Sequence, residues 1–237
     1  MAILDLGFDT VTAVNRYGFY CIPAQFKGRE VSKLLLKGQV NEPRTLELIR
    51  ARARDGDVIS GGAFVGDFLP AIAQALAGGA RLHSFEPNPP SFQATQATLA
   101  LNRLENVDLH PVAVGAEKGV LPLQVTGKGG NALGGKSSIV ADHEEGRTIE
   151  VPVATLDDLV PAKRKVSVLH LDVEGFEMPA VMGAARIIRD NAPVLVLEVV
   201  GPNRRSEYLD QLRAAFPQQD YRLIGAMERN AFYVATA

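Results

Sequence analysis

Cysteine, histidine and net charge are all scarce in this chain, and each scarcity removes a class of protein. One cysteine, Cys21, cannot build an intramolecular disulfide framework and says nothing about redox compartment. No neighbour would lower its thiol pKa, so it reads as a small buried hydrophobe rather than a nucleophile. His83, His110 and His143 share no zinc-like spacing with Cys21, and no metal site is identified. The 25 Lys and Arg against 27 Asp and Glu leave a net charge of −2, too weak a field to recruit nucleic acid or an anionic membrane. No window reaches the length of a membrane-spanning helix, and the first residues lack a basic stretch followed by an apolar core. A cytoplasmic protein with no membrane partner is expected.

What is present is an ordinary apolar share, 46 %, in 237 residues, enough for one large domain. Residues 11–23 suggest two short strands around Arg16-Tyr17-Gly18, followed by a polar segment ending near Gly38 and a helix from Glu42 to Asp55-Gly56. Strand and helix then alternate. Val58-Ile59 leads into glycines and a helix over Val65–Leu76, and Arg81–Phe85 leads into a helix opening at Pro89-Pro90. Val107–Leu109 and Val112–Val114 form a third strand region; Val166–Leu171 precedes a helix over Phe176–Asp190. Val194–Val200, a helix over Glu207–Phe216 and a hairpin of Tyr221–Ala226 with Phe232–Ala235 end the chain. Repeated βα units predict an α/β fold: a mainly parallel sheet, helices on both faces and an antiparallel C-terminal hairpin. Residues 1–54 read as an N-terminal extension packed on a main domain of residues 55–237. Within the latter, a Gly-rich insertion at about 115–155, with β-like runs such as Ser137–Val140, is expected to be a mobile lid or a disordered loop.

The most charged junction is the end of the fourth strand, where Asp172, Glu174 and Glu177 follow an apolar run. Strand period two points Asp172 and Glu174 the same way if extended backbone persists to Gly175. A helix cap explains one or two of these acids, but not all three. The first strand runs into Ser60-Gly61-Gly62-Ala63-Phe64-Val65-Gly66, a turn where backbone can approach a ligand closely. Its match to a dinucleotide fingerprint is imperfect, because Ala63 stands in the middle glycine place. Glu86, ending the second strand, is placed to accept hydrogen bonds from both hydroxyls of a ribose; the bland alternative is a surface acid before a Pro-started helix.

Together these residues resemble the FkbM group of class I, S-adenosylmethionine-dependent methyltransferases. The resemblance is carried by Gly62-Ala63-x-x-Gly66, Phe85-Glu86-Pro87-Asn88 with Asn102, Ala113-Val114-Gly115 and Ser137-Ser138. It continues through Thr155-Leu156-Asp157, Asp172-Val-Glu-Gly-Phe-Glu177 with Gly183, and Glu198, so that it covers nearly the whole chain. It implies a Rossmann-like, seven-stranded fold with S-adenosyl-L-methionine across the ends of the first, second and fourth strands. Ser60, Gly61, Gly62, Ala63 and Gly66 would shape the methionine end, with Asp172 nearby. Glu86 and Asn88 would serve the ribose, and Val112, Ala113 and residues around Asn106–Asp108 the adenine. The chain departs from the family pattern twice: Ser60 stands where an acid is usual, and His170 where a lysine is usual.

Methyl transfer to oxygen needs the acceptor aligned behind the sulfonium methyl and a base for its proton. Asp172 and Glu174 are the candidates, and Glu198 could join them. His170, on the same strand face as Asp172, is either a buried hydrogen-bonded residue or a further member of the catalytic set. The same acids could instead hold a hard divalent cation, though no spacing identifies one. The acceptor implied by the resemblance is a hydroxyl on a small metabolite or sugar-containing compound, and a homodimer is the candidate assembly. Two other readings stay open: an NAD-linked oxidoreductase, and a catalytically silent binding module suggested by Ser60.

Overall fold

The computed structural model describes residues 6–139 and 146–236; Val140 and His143 lie outside them. The chain opens with a hairpin, β1 (Thr10–Asn15) and β2 (Gly18–Pro23), then helices α1 (Glu30–Leu36) and α2 (Pro43–Arg52). Next come β3 (Asp57–Gly61), α3 (Leu69–Ala73), β4 (Leu82–Phe85), α4 (Pro89–Leu101) and β5 (Val107–His110). Four short strands follow: β6 (Ala113–Val114), β7 (Gly119–Gln124), β8 (Ser138–Ile139) and β9 (Thr148–Ala154). Then α5 (Leu156–Leu159), β10 (Val166–Leu171), α6 (Glu177–Met182), α7 (Ala185–Asn191), β11 (Val194–Glu198) and α8 (Pro202–Ala215) complete the α/β body. The hairpin β12 (Arg222–Met227) and β13 (Asn230–Val234) closes it.

The main sheet has seven strands in the order β12-β13-β11-β10-β3-β4-β5. The five strands from β11 to β5 are parallel, and β13 and β12 add antiparallel pairs at the opposite edge. Strands buried on both faces need apolar side chains at every position, which is why these segments read as continuous rather than alternating runs. Ile59, Leu169, Leu171, Leu195 and Leu197 pack on one face with Val181, Ile187, Ile188 and Leu212 from the helices. Val58, Val168 and Val196 point to the other face, against Leu46, Ile49, Leu69 and Ile72. Truncating any of these fully buried leucines to alanine would cost about 2–5 kcal/mol. Among the described residues no helix is long and apolar enough to cross a membrane.

The N-terminal elements are stitched to both ends of the body. The Cys21 N–H bonds Thr98 Oγ1 at 3.0 Å, and Asn102 makes two backbone bonds to Phe19. Across the sheet, the Glu228 carboxylate accepts from the Arg44 and Thr45 N–H groups at the start of α2, satisfying helix donors that lack intrahelical partners.

Several expected elements change. Helix α1 occupies part of the segment expected to be merely polar; only Ser32 and Leu35 of it are buried, so its periodicity is faint. The helix expected from Val65 starts only at Leu69, because Phe64 (φ +49°) and Gly66 (φ +79°) are left-handed. The Val112–Val114 region leaves the main sheet: β6 pairs with β9 in a second sheet, ordered β6-β9-β7-β8. Within the insertion, the expected β-like runs pair in that sheet as β7, β8 and β9. The long helix after β10 breaks at Gly183, where a Cβ would lie 2.0 Å from the Gly115 carbonyl oxygen. Asp157 then starts α7 afresh by accepting from the Arg186 and Ile187 N–H groups.

Candidate active site

In an open α/β sheet the strands on either side of a topological switch leave a crevice at their carboxyl ends. Here the switch lies between β3 and β10, whose ends face each other at Gly61 and Leu171. The Asp172 N–H bonds the Gly61 carbonyl at 3.2 Å, after which the two chains part. Gly62 (φ +84°) leaves no room for a side chain, since a Cβ would come within 1.8 Å of the Asp172 carbonyl oxygen. Only glycine meets both the dihedral and the contact.

Beyond Leu171 the backbone does not stay extended: Glu174 (φ +51°) and Gly175 (φ +93°) are left-handed, so period two does not align the acids as expected. A tight turn aligns them instead. Glu177, expected only to complement the helix dipole, holds that turn: its Oε1 accepts from the Val173 and Gly175 N–H groups, each at 3.1 Å. Its Oε2 accepts from the Tyr208 hydroxyl at 3.1 Å, and the residue is 1 % exposed. Asp172 and Glu174 thereby meet Glu198 from the end of β11, with carboxylate oxygens of all three within 4.8 Å of one another. Burial, then repulsion from Glu198, raises the Asp172 carboxyl well above its ordinary range. Burial and Glu198 raise Glu174 too, against the pull of Lys136 and Arg229. Arg229, from the β12–β13 turn, pairs directly with Glu198.

Three cavities meet here, and Gly62 and Asp172 line all of them. The first is a mostly apolar slot walled by Phe85, Val112, Ala113, Leu123 and Phe176, with Glu86 in its lining. Glu86 is 5 % exposed; Oε2 accepts from the Phe64 N–H at 2.7 Å and Oε1 from the Asn88 N–H at 2.9 Å. Burial pushes its carboxyl up to about 8, although both bonds pull it down. A carboxylate has about four lone-pair sites, so two bonds leave room for a diol. The second cavity, about 300 Å³, is lined by many charged side chains, among them Glu42, Asp67, Glu174, Glu198, Lys136 and Arg229. Burial raises Glu42 to about 7 and Asp67 to about 6, with hydrogen bonds from Asn230 and Asn41 respectively opposing the rise. The third, about 20 Å³, lies behind the glycine turn and is lined by Ser60, Ala63, Asp67 and His170.

Several other residues expected at the cofactor stand outside these cavities. Gly61, Gly66 and Asn88 line none of these three cavities. A Cβ on Gly61 would meet Leu171 at 2.9 Å, and one on Gly66 would meet Thr98 and Thr95 at 3.2 and 3.3 Å, so both glycines are tightly packed. Asn88 positions Glu86 through its N–H and bonds Ser137 Oγ at 3.0 Å. The two departures from the family pattern are one feature, since Ser60 and His170 are register partners joined by a 3.0 Å Oγ···Nδ1 hydrogen bond. His170 is stacked on Phe68 at 5.2 Å, and burial lowers its pKa to about 4, so the imidazole is neutral. It takes the buried, hydrogen-bonded place rather than one facing the larger cavity.

Sequence reasoning missed Phe64, Asn41, Glu42, Asp67, Lys136 and Arg229 as pocket walls. Asp67 directly follows the last glycine of the turn and was the one with a local signal. The turn itself offers no cradle for a pyrophosphate. The Gly62 and Ala63 N–H groups bond the Phe85 carbonyl, Gly66 bonds Ala63, and Phe64 bonds Glu86. With these N–H groups already bonded, the turn is poorly suited to the pyrophosphate of a dinucleotide.

The sequence profile of a family described as the Methyltransferase FkbM domain matches residues 53–223. No curated protein matches the chain. Among solved structures, the methyltransferase FkbM from Methylobacillus flagellatus KT superposes with a TM-score of 0.53 at 17 % identity, covering 76 % of this chain. This chain spans only 43 % of that protein. A putative rRNA-methylase from Clostridium thermocellum gives a TM-score of 0.50 at 9 % identity, covering 84 % of this chain and 97 % of that one. Trm5b from Pyrococcus abyssi gives 0.50 at 10 % identity, covering 96 % and 55 %. At these identities the structures speak to the fold alone, the Rossmann-like sheet of class I methyltransferases.

Proposed function

The chain belongs to the FkbM methyltransferase family, and on that premise we propose that it transfers a methyl group from S-adenosylmethionine to a hydroxyl of a small polar acceptor. One observation carries the acceptor half of this reading. The three carboxylates of Asp172, Glu174 and Glu198 converge within 4.8 Å beside the junction of the apolar slot and the larger polar cavity. A hydroxyl nucleophile needs a base there, and carboxyls raised by burial and mutual repulsion are better bases near neutral pH than ordinary ones.

In this reading the apolar slot takes the adenine, and Glu86 accepts hydrogen bonds from the ribose hydroxyls. Bound there, the cofactor supplies an electrophilic methyl on a sulfonium that leaves as a neutral thioether. Asp172 orients the acceptor oxygen and takes its proton. Glu198, held by Arg229, adds to burial in raising the proton affinity of Asp172, and Glu174 borders the acceptor volume. The lining of the larger cavity is mainly charged or polar, with Val31 and Phe64 its large apolar members, which favours a hydrophilic acceptor such as a polyol over a flat aromatic one.

Calorimetry with S-adenosylmethionine, S-adenosylhomocysteine and NAD, followed by transfer of labelled methyl to a panel of polyols and amino compounds, tests the reading. Binding of the sulfur nucleosides, with label recovered in base-stable ethers, is expected. Label appearing on nitrogen would refute the hydroxyl acceptor. Cofactor binding with no transfer to any acceptor would favour the silent module.

A further inference from the structure

The walls of the slot and of the larger cavity come from different parts of the chain. Every residue lining the apolar slot falls between Gly62 and Phe176, inside the stretch 53–223 that the family profile matches; Asp172, Glu174 and Glu198 fall inside it too. In the larger cavity, Arg29–Val31, Asn41 and Glu42 precede that stretch, and Glu228 and Arg229 follow it. The matched core thus holds the slot and the base, while much of the wall around the acceptor volume lies outside it. The charge of the cavity is one-sided: among its lining side chains carboxyls outnumber cations seven to three. Of the cations, Arg229 is paired with Glu198 and Lys136 pulls on Glu174, which leaves Arg29. Of the carboxyls, Glu228 is occupied by the N–H groups that open α2. Glu42 is far less engaged. Its Oε2 accepts from Asn230 Nδ2 at 2.6 Å, and among the described residues no other hydrogen bond reaches its carboxylate. The charges acting on it are those of Asp67, Glu228 and Glu198, all acids. It lines the larger cavity and neither of the other two. A half-buried carboxylate facing a ligand volume among other acids lacks a counter-ion, and a cationic ligand supplies one.

We propose that the methyl acceptor is a hydroxylated amine such as an amino polyol, its ammonium group held by Glu42 while one of its hydroxyls is presented to Asp172. The inference rests on the hydroxyl-transfer reading above and adds to it the charge class of the acceptor and the residue that selects it. A cavity of about 300 Å³ stands at the small end of ligand pockets, room for a single sugar-sized unit. Pairing with a carboxylate keeps the amine protonated and without a lone pair, so a hydroxyl is the nucleophile. Its oxygen bonds the methyl carbon as the carbon–sulfur bond breaks, the bonding pair stays on sulfur, and the hydroxyl proton passes to Asp172. The ammonium also offsets the repulsion among Asp172, Glu174 and Glu198, which favours the ionised Asp172 that takes this proton.

The test uses 1-amino-1-deoxysorbitol, sorbitol and gluconate, which share a hydroxylated chain and differ in charge. In isothermal calorimetry on the protein saturated with S-adenosylhomocysteine, the amine should bind about tenfold or more tighter than sorbitol, the worth of one charge-assisted hydrogen bond, with gluconate the weakest. Glu42→Gln, whose amide oxygen can still accept from Asn230, should erase that preference. Unchanged affinity of this variant for S-adenosylhomocysteine also certifies that it is folded. With S-adenosylmethionine carrying a labelled methyl, label should enter the amine as an ether. Absent amine binding, equal binding of amine and sorbitol, tighter gluconate, or a preference that survives in Glu42→Gln overturns the ammonium seat and leaves hydroxyl transfer standing. So does a failure to label the amine, or label that enters sorbitol as readily. Label on the nitrogen overturns both, and failure of the wild-type protein to bind S-adenosylhomocysteine overturns the cofactor reading beneath them.

Discussion

Replacing Asp172 by asparagine should make the unliganded protein more stable while abolishing methyl transfer. Its carboxylate lies with those of Glu174 and Glu198 inside a 4.8 Å envelope. Two full charges at that separation repel by about 3.5 kcal/mol at an effective dielectric of about 20, so Asp172 faces roughly 7 kcal/mol from two ionised neighbours. Keeping one carboxyl protonated at pH 7 costs only about 4 kcal/mol, three units at about 1.36 kcal/mol each. Holding a proton is the cheaper state, and burial acts in the same direction. Arg229 pairs directly with Glu198 and also pulls on Glu174, but burial and Glu198 still hold Asp172 up. The folded-state pKa of Asp172 is thus raised above its ordinary 3.8, whereas the unfolded chain ionises freely above that value. Stability tied to this group is greatest below about pH 4 and declines as pH rises toward the folded pKa. The asparagine amide of the variant would not titrate. The variant should match wild type at pH 4 and exceed it by about 1–3 kcal/mol at pH 8, a Tm gain of about 2–4 °C per kcal/mol. Thermal melts at the two pH values, with calorimetry to verify cofactor binding, measure this. A Tm difference independent of pH, or a wild type that is the more stable at pH 8, would refute the crowded-carboxylate account.

Gly62→Ala should cost about 3–5 kcal/mol in chemical denaturation, because its Cβ meets backbone, the Asp172 carbonyl oxygen, at 1.8 Å; a loss under 1 kcal/mol would contradict that contact. Glu86→Ala should weaken cofactor binding by about 1.5–3 kcal/mol for each ribose hydrogen bond lost, and equal affinity in the variant would remove Glu86 from the ribose. Asp57, 2 % exposed at the start of β3, is held down to about 2: burial alone would raise it, but His83, Arg164 and the Arg81 N–H outweigh that. Its stabilisation is present above its ordinary 3.8 and is lost as pH falls through about 2. Asp57→Asn should therefore cost roughly 3–5 kcal/mol at pH 7 and much less near pH 2, which urea titrations at both pH values would show.

The order of strands and helices was legible because each buried segment carries its own signal. Val58, Val168 and Val196 are apolar on one face while Ile59, Leu169 and Leu195 are apolar on the other, so the runs declare parallel strands without reference to partners. Where a segment has only one or two buried positions, as in α1, the signal fades. Helix breaks were illegible for a different reason. Gly183 ends α6 because the Gly115 carbonyl passes against it, a contact across 68 positions of the chain.

Read as a line, the sequence determined the α/β class, the glycine turn, the acid at the end of β4 and the acidic junction after β10, because those depend on neighbours a few residues away. Only the tertiary structure decided what they face. It set Gly61 against Leu171 and Gly66 against Thr95 and Thr98, and placed Ser60 and His170 in one hydrogen bond. It also brought Glu42, Asp67 and Arg229 from three separate segments to the wall of one cavity. The physical reason is that a pocket is made by elements packing against one another. Charge, burial and proton affinity within it depend on distances that no local pattern encodes.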